Sequence, residues 1–452
     1  MNKRTFLKTT STLVGGAVLS QFVACKPKKQ LAEGERLSNW AGNLTYKATN
    51  VHYPKSVEEV QEIVRQSETL KALGSRHSFN TIADTKENQI SLKELNKVVS
   101  LDKKALTVTV EGGIKYGELA PYLEENGLAL HNLASLPHIS IAGACATATH
   151  GSGVNNGNLA TAVSGIEFVN AAGNVVSLSR EKDGEHFEGA VVGLGAFGVV
   201  TKLTLNVQPS FKMKQVVYRN MPMKSLEKNF LEIMSSGYSV SLFTDWKDQK
   251  INEVWIKSKV SADDKPAEAT YFGGTLATEN VHPVEALSAE NCTEQMGVSG
   301  VWYERMPHFK MGFTPSAGKE LQSEFFIPIE HGYEAMIAIE KLHEKISPHI
   351  FISEIRAIKA DNLWMSPCYQ QTCVALHTTW KQEIDIVMGL IPLFEEAIAP
   401  FNPKPHWAKL FTIKPELLQS KYKKLADFKA LVKQYDPNGK FKNDFLNKNL
   451  YS

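Results

Sequence analysis

Apolar residues at Val57, Val60 and Val64 share one helical face, with Glu58, Glu59 and Glu62 off it, and Ser56 stands where a helix cap is needed. This spacing predicts a helix over 57–65. The apolar segment Leu70–Leu73 predicts a short strand running into a Gly/Ser turn. Lys104–Val110 alternates and predicts a strand broken by Gly112-Gly113, and Tyr116–Asn126 returns to helical spacing before Gly127. Ala162–Asn170 and Val175–Leu178 predict a hairpin across Ala171-Ala-Gly-Asn174. After Pro209 the chain mixes strands (Val216–Arg219, Val240–Thr244, Glu253–Lys257) with helices (Ser225–Met234, Gly332–Ile346), and Ser261–Glu268 reads as a polar loop. The expected class is α+β in two parts: 39–209, a second domain over 210–400, and a segment 401–452 that returns to the first.

The N-terminus has a different character. Asn2-Lys-Arg-Thr-Phe-Leu-Lys8 is basic, Thr12–Phe22 is uncharged and largely apolar, and Val23-Ala24-Cys25 ends it like a lipobox. That apolar core is too short for an ordinary membrane span. The expectation is a signal peptide over 1–24, resembling a twin-arginine signal with Lys3 for the first arginine. The mature chain then starts at Cys25, carries lipid there, and has 25–38 as tether. The protein is expected to be exported, periplasmic and bound to a bacterial membrane only through that lipid. Fifty Lys and Arg against 48 Asp and Glu leave a net charge of +2 without a long basic run, which argues against a nucleic-acid partner. Cys145, Cys292, Cys368 and Cys373 are too scattered for a disulfide framework, and no Cys/His spacing suggests a metal.

The stretch His131–Gly153 carries the strongest signal. From Ser140 it is nearly free of bulk: Ala142, Gly143, Ala144, Cys145, Ala146, Thr147 and Ala148 follow one another. Small residues bury little area, but they let backbone N–H groups approach a guest such as a phosphate closely. Gly193-Leu-Gly-Ala-Phe-Gly198 satisfies the G-x-G-x-x-G pattern of nicotinamide-binding folds, yet the β-branched run Val199–Val207 follows where a helix is required. No acidic residue stands about 20 positions on for a ribose, so nicotinamide binding is rejected.

Three later segments place polar groups among apolar ones. On a strand Glu354 and Arg356 share a face, as do His377 and Thr379, and Lys409 sits between apolar neighbours in Pro405–Phe411. Each has an ordinary reading too: a solvated ion pair, a core histidine bonded to a carbonyl, a snorkelling lysine.

The turn Leu73-Gly-Ser-Arg-His-Ser-Phe-Asn80, with Ala-Ser-Leu-Pro-His-Ile-Ser and His-Gly-Ser-Gly, resembles the vanillyl-alcohol-oxidase flavoprotein superfamily, closest to its alditol-oxidase and aldonolactone branch. The resemblance runs from about Asn39 to Leu450. It implies a two-part FAD-binding domain with an α+β substrate domain laid over the flavin, and FAD bonded covalently to His77. It further implies a flavin cradle of Ala72, Leu73, Gly74, Ser75, Arg76, Ser78, Ser135, Ser140, Gly143, Ala144, Cys145, Ala146 and Thr379, with the 193–198 turn supporting the adenine end. Cys145 departs from the family pattern but is small enough for its place. The implied reaction oxidises a small polyol by hydride transfer to the flavin, with oxygen or another acceptor. Glu354, Arg356, His377, Lys409 and Ser135 are then the catalytic group. Arg356 and Lys409 stabilise developing negative charge, Glu354 accepts from substrate hydroxyls, and His377 is the candidate to take the proton. An aldonolactone oxidase or dehydrogenase is the alternative on the same residues, and a non-catalytic sugar-binding lipoprotein is the alternative from another class.

Overall fold

The computed structural model describes residues 36–312 and 319–452, so the signal, Cys25 and most of the tether lie outside the described residues. Strands Asn50–His52 (β1), Lys71–Ala72 (β2) and Asn88–Ile90 (β3) form a small parallel sheet in the order β1-β3-β2. Between β1 and β2 runs helix α1 (Val57–Gln66), capped by the Ser56 side chain as its spacing predicts, with Val60 and Val64 fully buried. Strands Val98–Asp102 (β4), Thr107–Glu111 (β5), Val163–Val169 (β6), Val175–Ser179 (β7) and Val199–Asn206 (β8) make an antiparallel sheet in the order β4-β5-β8-β6-β7. β5 starts at Thr107, later than the alternation predicts, because Asp102 accepts from the Lys104 and Ala105 amides and turns the chain there. The hairpin β6–β7 and the strand β8 after Gly198 match the sequence pattern.

Tyr116–Glu125 is helical (α2), and Gly127 follows at φ +75°. The small-residue stretch, expected as a loop, contains a short helix, Ile141–Ala146 (α3), which alanines favour and whose small face lets the chain pack closely.

The second region is one large twisted sheet. Its central strands are Lys212–Pro222 (β9), Ser239–Thr244 (β10), Lys250–Lys259 (β11), Glu320–Pro328 (β12), Ile350–Ile358 (β13) and Cys373–Lys381 (β14), in the order β9-β11-β10-β13-β14-β12. Helices Leu226–Met234, Gly332–Glu340 and Ile384–Ile398 accompany it. The helix expected over 332–346 is interrupted at Lys341-Leu342 before a second short turn, His343–Ile346.

Register on this sheet sets up the site. Glu324, His377 and Glu354 are direct partners on β12, β14 and β13, and Phe243 continues the row on β10. One row away, Arg356 pairs with Ala375 and Ser241. Period-2 alternation therefore gathers on one face the charged residues of strands far apart in the chain. The C-terminal helix Leu425–Tyr435 packs on the first region, where Phe428 and Tyr435 meet Phe197 and Phe168, and the Lys440 carbonyl accepts from the Leu70 amide. Among the described residues no helix is long and apolar enough to cross a membrane.

Candidate active site

A cavity of about 340 Å³ runs between the two regions. At one end it is lined by the 193–198 turn, in the middle by the 72–78 turn and α3, and at the other by the charged face of the large sheet. Every residue expected in the flavin cradle lines it, as do Glu354, Arg356, His377 and Lys409.

The middle of the cavity is shaped for a guest that approaches backbone. A Cβ on Gly74 or on Gly143 would lie 2.9 or 2.8 Å from Ser140 Oγ, too close for either to carry a side chain without a shift. Ser140 Oγ is itself buried with no hydrogen-bond partner, since Ser140 holds the N-cap position of α3 without a side-chain capping bond. The Ser140 amide donates to Ser75 Oγ at 3.1 Å, tying the two walls together. Cys145 points away into packing, its Sγ 3.6 Å from the Tyr116 hydroxyl. Arg76 sits at φ +65°, and its guanidinium donates to the Ser38 carbonyl. The side chain is thus held outward, and Arg76 serves the cradle by its backbone.

His77 closes this part. Its Nδ1 lies 3.1 Å from Ser75 Oγ, whereas Nε2 is buried without a partner. Trp40 stacks on the ring at 5.0 Å and His138 lies 4.7 Å away. Burial, and then the neighbouring His138, bring the His77 pKa down to about 3, so the imidazole is neutral at neutral pH. Unpartnered buried polar atoms in a glycine-walled cleft are what a bound dinucleotide satisfies, and the residues present fit FAD.

The far end is a buried charge cluster centred on Glu324, which is fully buried. It accepts from Arg356 Nη2 and Lys409 Nζ, each at 2.8 Å, and His150 Nε2 stands 3.2 Å away without hydrogen-bond alignment. Burial pushes the Glu324 carboxyl up, but Lys409, His150 and Arg356 together hold it well below the ordinary range. Lys409 Nζ also contacts His377 Nδ1 at 2.8 Å, and His377 Nε2 contacts Thr379 Oγ1 at 3.0 Å. An ammonium can only donate, so Nδ1 accepts and Nε2–H donates to the threonine. Both ring nitrogens are thereby engaged, and burial and the Lys409 cation keep the ring well below its usual pKa. Arg356 Nη1 reaches Ser135 Oγ at 3.3 Å, and Ala134 lines the same wall. Glu354 Oε1 receives His308 Nε2 at 2.7 Å, and Arg356 Nε stands 3.5 Å away as an ion pair without a hydrogen bond.

Glu324, His150, His308 and His138 did not figure among the sequence-predicted site residues. The one signal for Glu324 was Glu320-x-Gln322-x-Glu324, a polar face at strand period on an otherwise apolar segment. His138 and His150 stood within the quoted motifs without a role. His308 carries no local signal. Among the described residues no cluster of His, Cys, Asp or Glu is arranged to hold a metal.

Two family profiles match the sequence: the FAD binding domain over residues 48–179 and D-arabinono-1,4-lactone oxidase over 308–449. Alditol oxidase of a Streptomyces species is 43% identical over 415 residues, covering 91% of this chain and 98% of that protein. L-gulono-1,4-lactone dehydrogenase of Mycobacterium tuberculosis is 28% identical, with 91% and 98% coverage. Among solved structures, cholesterol oxidase from B. sterolicum superposes with a TM-score of 0.73 at 14% identity, covering 92% of this chain and 96% of that one. Glucooligosaccharide oxidase from Acremonium strictum, described with a 6-S-cysteinyl, 8α-N1-histidyl FAD, superposes at 0.68 and 14% identity, covering 90% and 93%.

Proposed function

The chain belongs to the alditol-oxidase family of FAD-dependent oxidoreductases, and on that premise we propose that it oxidises a xylitol- or sorbitol-like polyol at an FAD held covalently by His77, with oxygen accepting the electrons to give hydrogen peroxide. The observation that carries this is the continuity of one cavity from the glycine-walled cleft and His77 to the charged face with Glu354, Arg356 and Lys409. FAD, when bound, supplies the hydride acceptor.

The chain's own residues supply the rest. Arg356 and Lys409 are the two cations at the charged end, and each is aimed by a hydrogen bond to Glu324. Preorganised cations of this kind stabilise an alcohol oxygen as its proton leaves. Glu354 offers Oε2 to a polyol hydroxyl, since Oε1 is occupied by His308. Ser135, hydrogen-bonded to Arg356, adds a hydroxyl beside the flavin position. With Nε2 already carrying the ring proton, donated to Thr379, and Nδ1 accepting from Lys409, His377 takes a proton only if its bond to Lys409 opens. Its unforced contribution is to hold those two side chains in place.

Cys25, in the expected lipobox, supports an exported, periplasmic protein bound to a bacterial membrane by lipid alone. The lactone oxidase profile over 308–449 supports a second reading, in which the same residues act on a cyclic sugar lactone. Anaerobic addition of xylitol, sorbitol and an aldonolactone to the purified protein separates the two. Rapid bleaching of the flavin by the polyols alone is expected, and bleaching by the lactone alone defeats the polyol assignment. A colourless protein that binds sugar leaves only the non-catalytic reading.

A further inference from the structure

Behind Glu354, away from the cavity, stands a lysine that the reaction as described does not use. Lys257 on β11 is 1% exposed, and its Nζ has three partners: the Met306 carbonyl at 2.7 Å, the Pro307 carbonyl at 2.8 Å and His308 Nδ1 at 3.1 Å. His308, also buried, reaches Glu354 Oε1 through Nε2 at 2.7 Å. Three donors meet three acceptors only if the lysine is an ammonium. The imidazole must then keep its proton on Nε2 and donate it to the Glu354 carboxylate.

We propose that Lys257 and His308 form a positioning arm that fixes the hydrogen-bonding direction of Glu354, so that polyol binding depends on the protonation of a lysine that never touches the substrate. This rests on the reading of Glu354 as acceptor for a polyol hydroxyl. The directional argument is geometric. An amine at Lys257 has two N–H groups for three partners, and two of those partners are carbonyls, which can only accept. His308 alone can respond, by moving its proton to Nδ1. Nε2 then turns a lone pair on Glu354 Oε1 across 2.7 Å, and the carboxylate loses the donor that holds it.

The proton in question leaves in an accessible range. Burial, opposed by the Glu354 charge and the Cys292 thiol and assisted by Arg356, brings the Lys257 pKa down to about 7. The groups facing it are Glu354 and Arg356 on β13 and His308 and Cys292 in the connecting segment, while Glu253 on its own strand bears on Cys292. Burial brings His308 to about 4 and Cys292 to about 12, so neither changes charge between pH 6 and 9. Glu253 is also raised to about 7 by burial and must be controlled.

The test uses the flavin-loaded protein and one reducing polyol, with KM and kcat measured separately from pH 6 to 9. In the parent KM rises with pH by about tenfold or more, the scale of one hydrogen bond to a charged group, and kcat changes less. Lys257→Met gives a high KM at every pH, and Lys257→Arg, which stays charged, gives a low and flat one. His308→Phe matches Lys257→Met, and the double variant is no worse than His308→Phe alone, because the lysine acts through the imidazole. Glu253→Gln leaves the profile in place. In 15N-histidine-labelled protein, the resonance missing from His308→Phe titrates near pH 7 in the parent and not in Lys257→Arg, a readout independent of turnover. A flat parent KM, multiplying effects in the double variant, or a loss confined to kcat overturns the proposal. If Lys257→Met fails to fold, the parent profile, Lys257→Arg and the histidine titration still decide it. A parent whose flavin no polyol bleaches fails the polyol reading instead, while the histidine titration still reports on the arm.

Discussion

Replacing Glu324 by glutamine removes one charge and almost no volume from the centre of the site. At 2.8 Å from each of Lys409 and Arg356, the carboxylate gains a gross Coulomb energy of about 6 kcal/mol per pair at an effective dielectric near 20. Most of that offsets the desolvation of three buried ions, but the variant does not recover that cost, since Lys409 and Arg356 remain buried without a counter-charge. Removing one partner of a buried pair costs about 3–5 kcal/mol, and that is the loss expected in urea unfolding at neutral pH. Function should change in a way that packing damage does not explain. Burial already lowers the Lys409 pKa and Glu324 is the strongest influence raising it, so the variant lowers it further. The side chain then loses its charge at a lower pH than in the parent, and the basic limb of kcat/KM moves to lower pH. A loss below about 1 kcal/mol with an unchanged pH profile would refute the claim that this carboxylate holds the two cations. The parent's own acid behaviour follows from the same group. Its folded pKa is depressed, so the stability it contributes is complete above the ordinary carboxylate range and is lost as pH falls through the folded value.

Other outcomes follow from the same geometry. His77→Ala should release flavin on acid denaturation, whereas the parent keeps its yellow colour with the polypeptide; covalent flavin in the variant would exclude His77 as the attachment point. Lys409→Met should lower kcat and kcat/KM together by about 10²-fold, the scale of a lost oxyanion donor, and a rise in KM alone would make Lys409 a ground-state contact. Ala134→Gly should leave reoxidation of the reduced protein fast, as expected of an oxidase; slow reoxidation in the parent that the glycine accelerates identifies a dehydrogenase. Cys25→Ala should move the protein out of the membrane fraction or leave it unprocessed, and unchanged fractionation would count against lipidation.

What was legible in the sequence was whatever a local rule governs. Ser56 and the valines after it specify α1 without outside help, and the turn at Ala171–Asn174 pairs β6 with β7. Strand period alone put Glu354 with Arg356 and His377 with Thr379, and each pair does share a face. Glu324 escaped because its meaning lies in register: it faces His377 only once β12 pairs with β14, 53 residues away in sequence from partner to partner. His308 and Lys257 escaped for a stronger version of the same reason, since His308 lies in an irregular segment and meets Lys257 only where that segment folds back against β11. The break at Lys341-Leu342 was hidden because apolar spacing continues across it.

The walls of the flavin cleft come from opposite ends of the chain. Lys71 Nζ donates to the Phe441 carbonyl, 370 residues away, and Lys409 and Ala408 complete the charged end. A chain emerging from the ribosome at about 5–20 residues per second therefore carries the His77 turn for roughly 17–66 s before the charged end of its cleft exists. Cofactor capture is in this sense a late act of folding, because the cleft is not closed at its charged end until the segment 406–409 has been made.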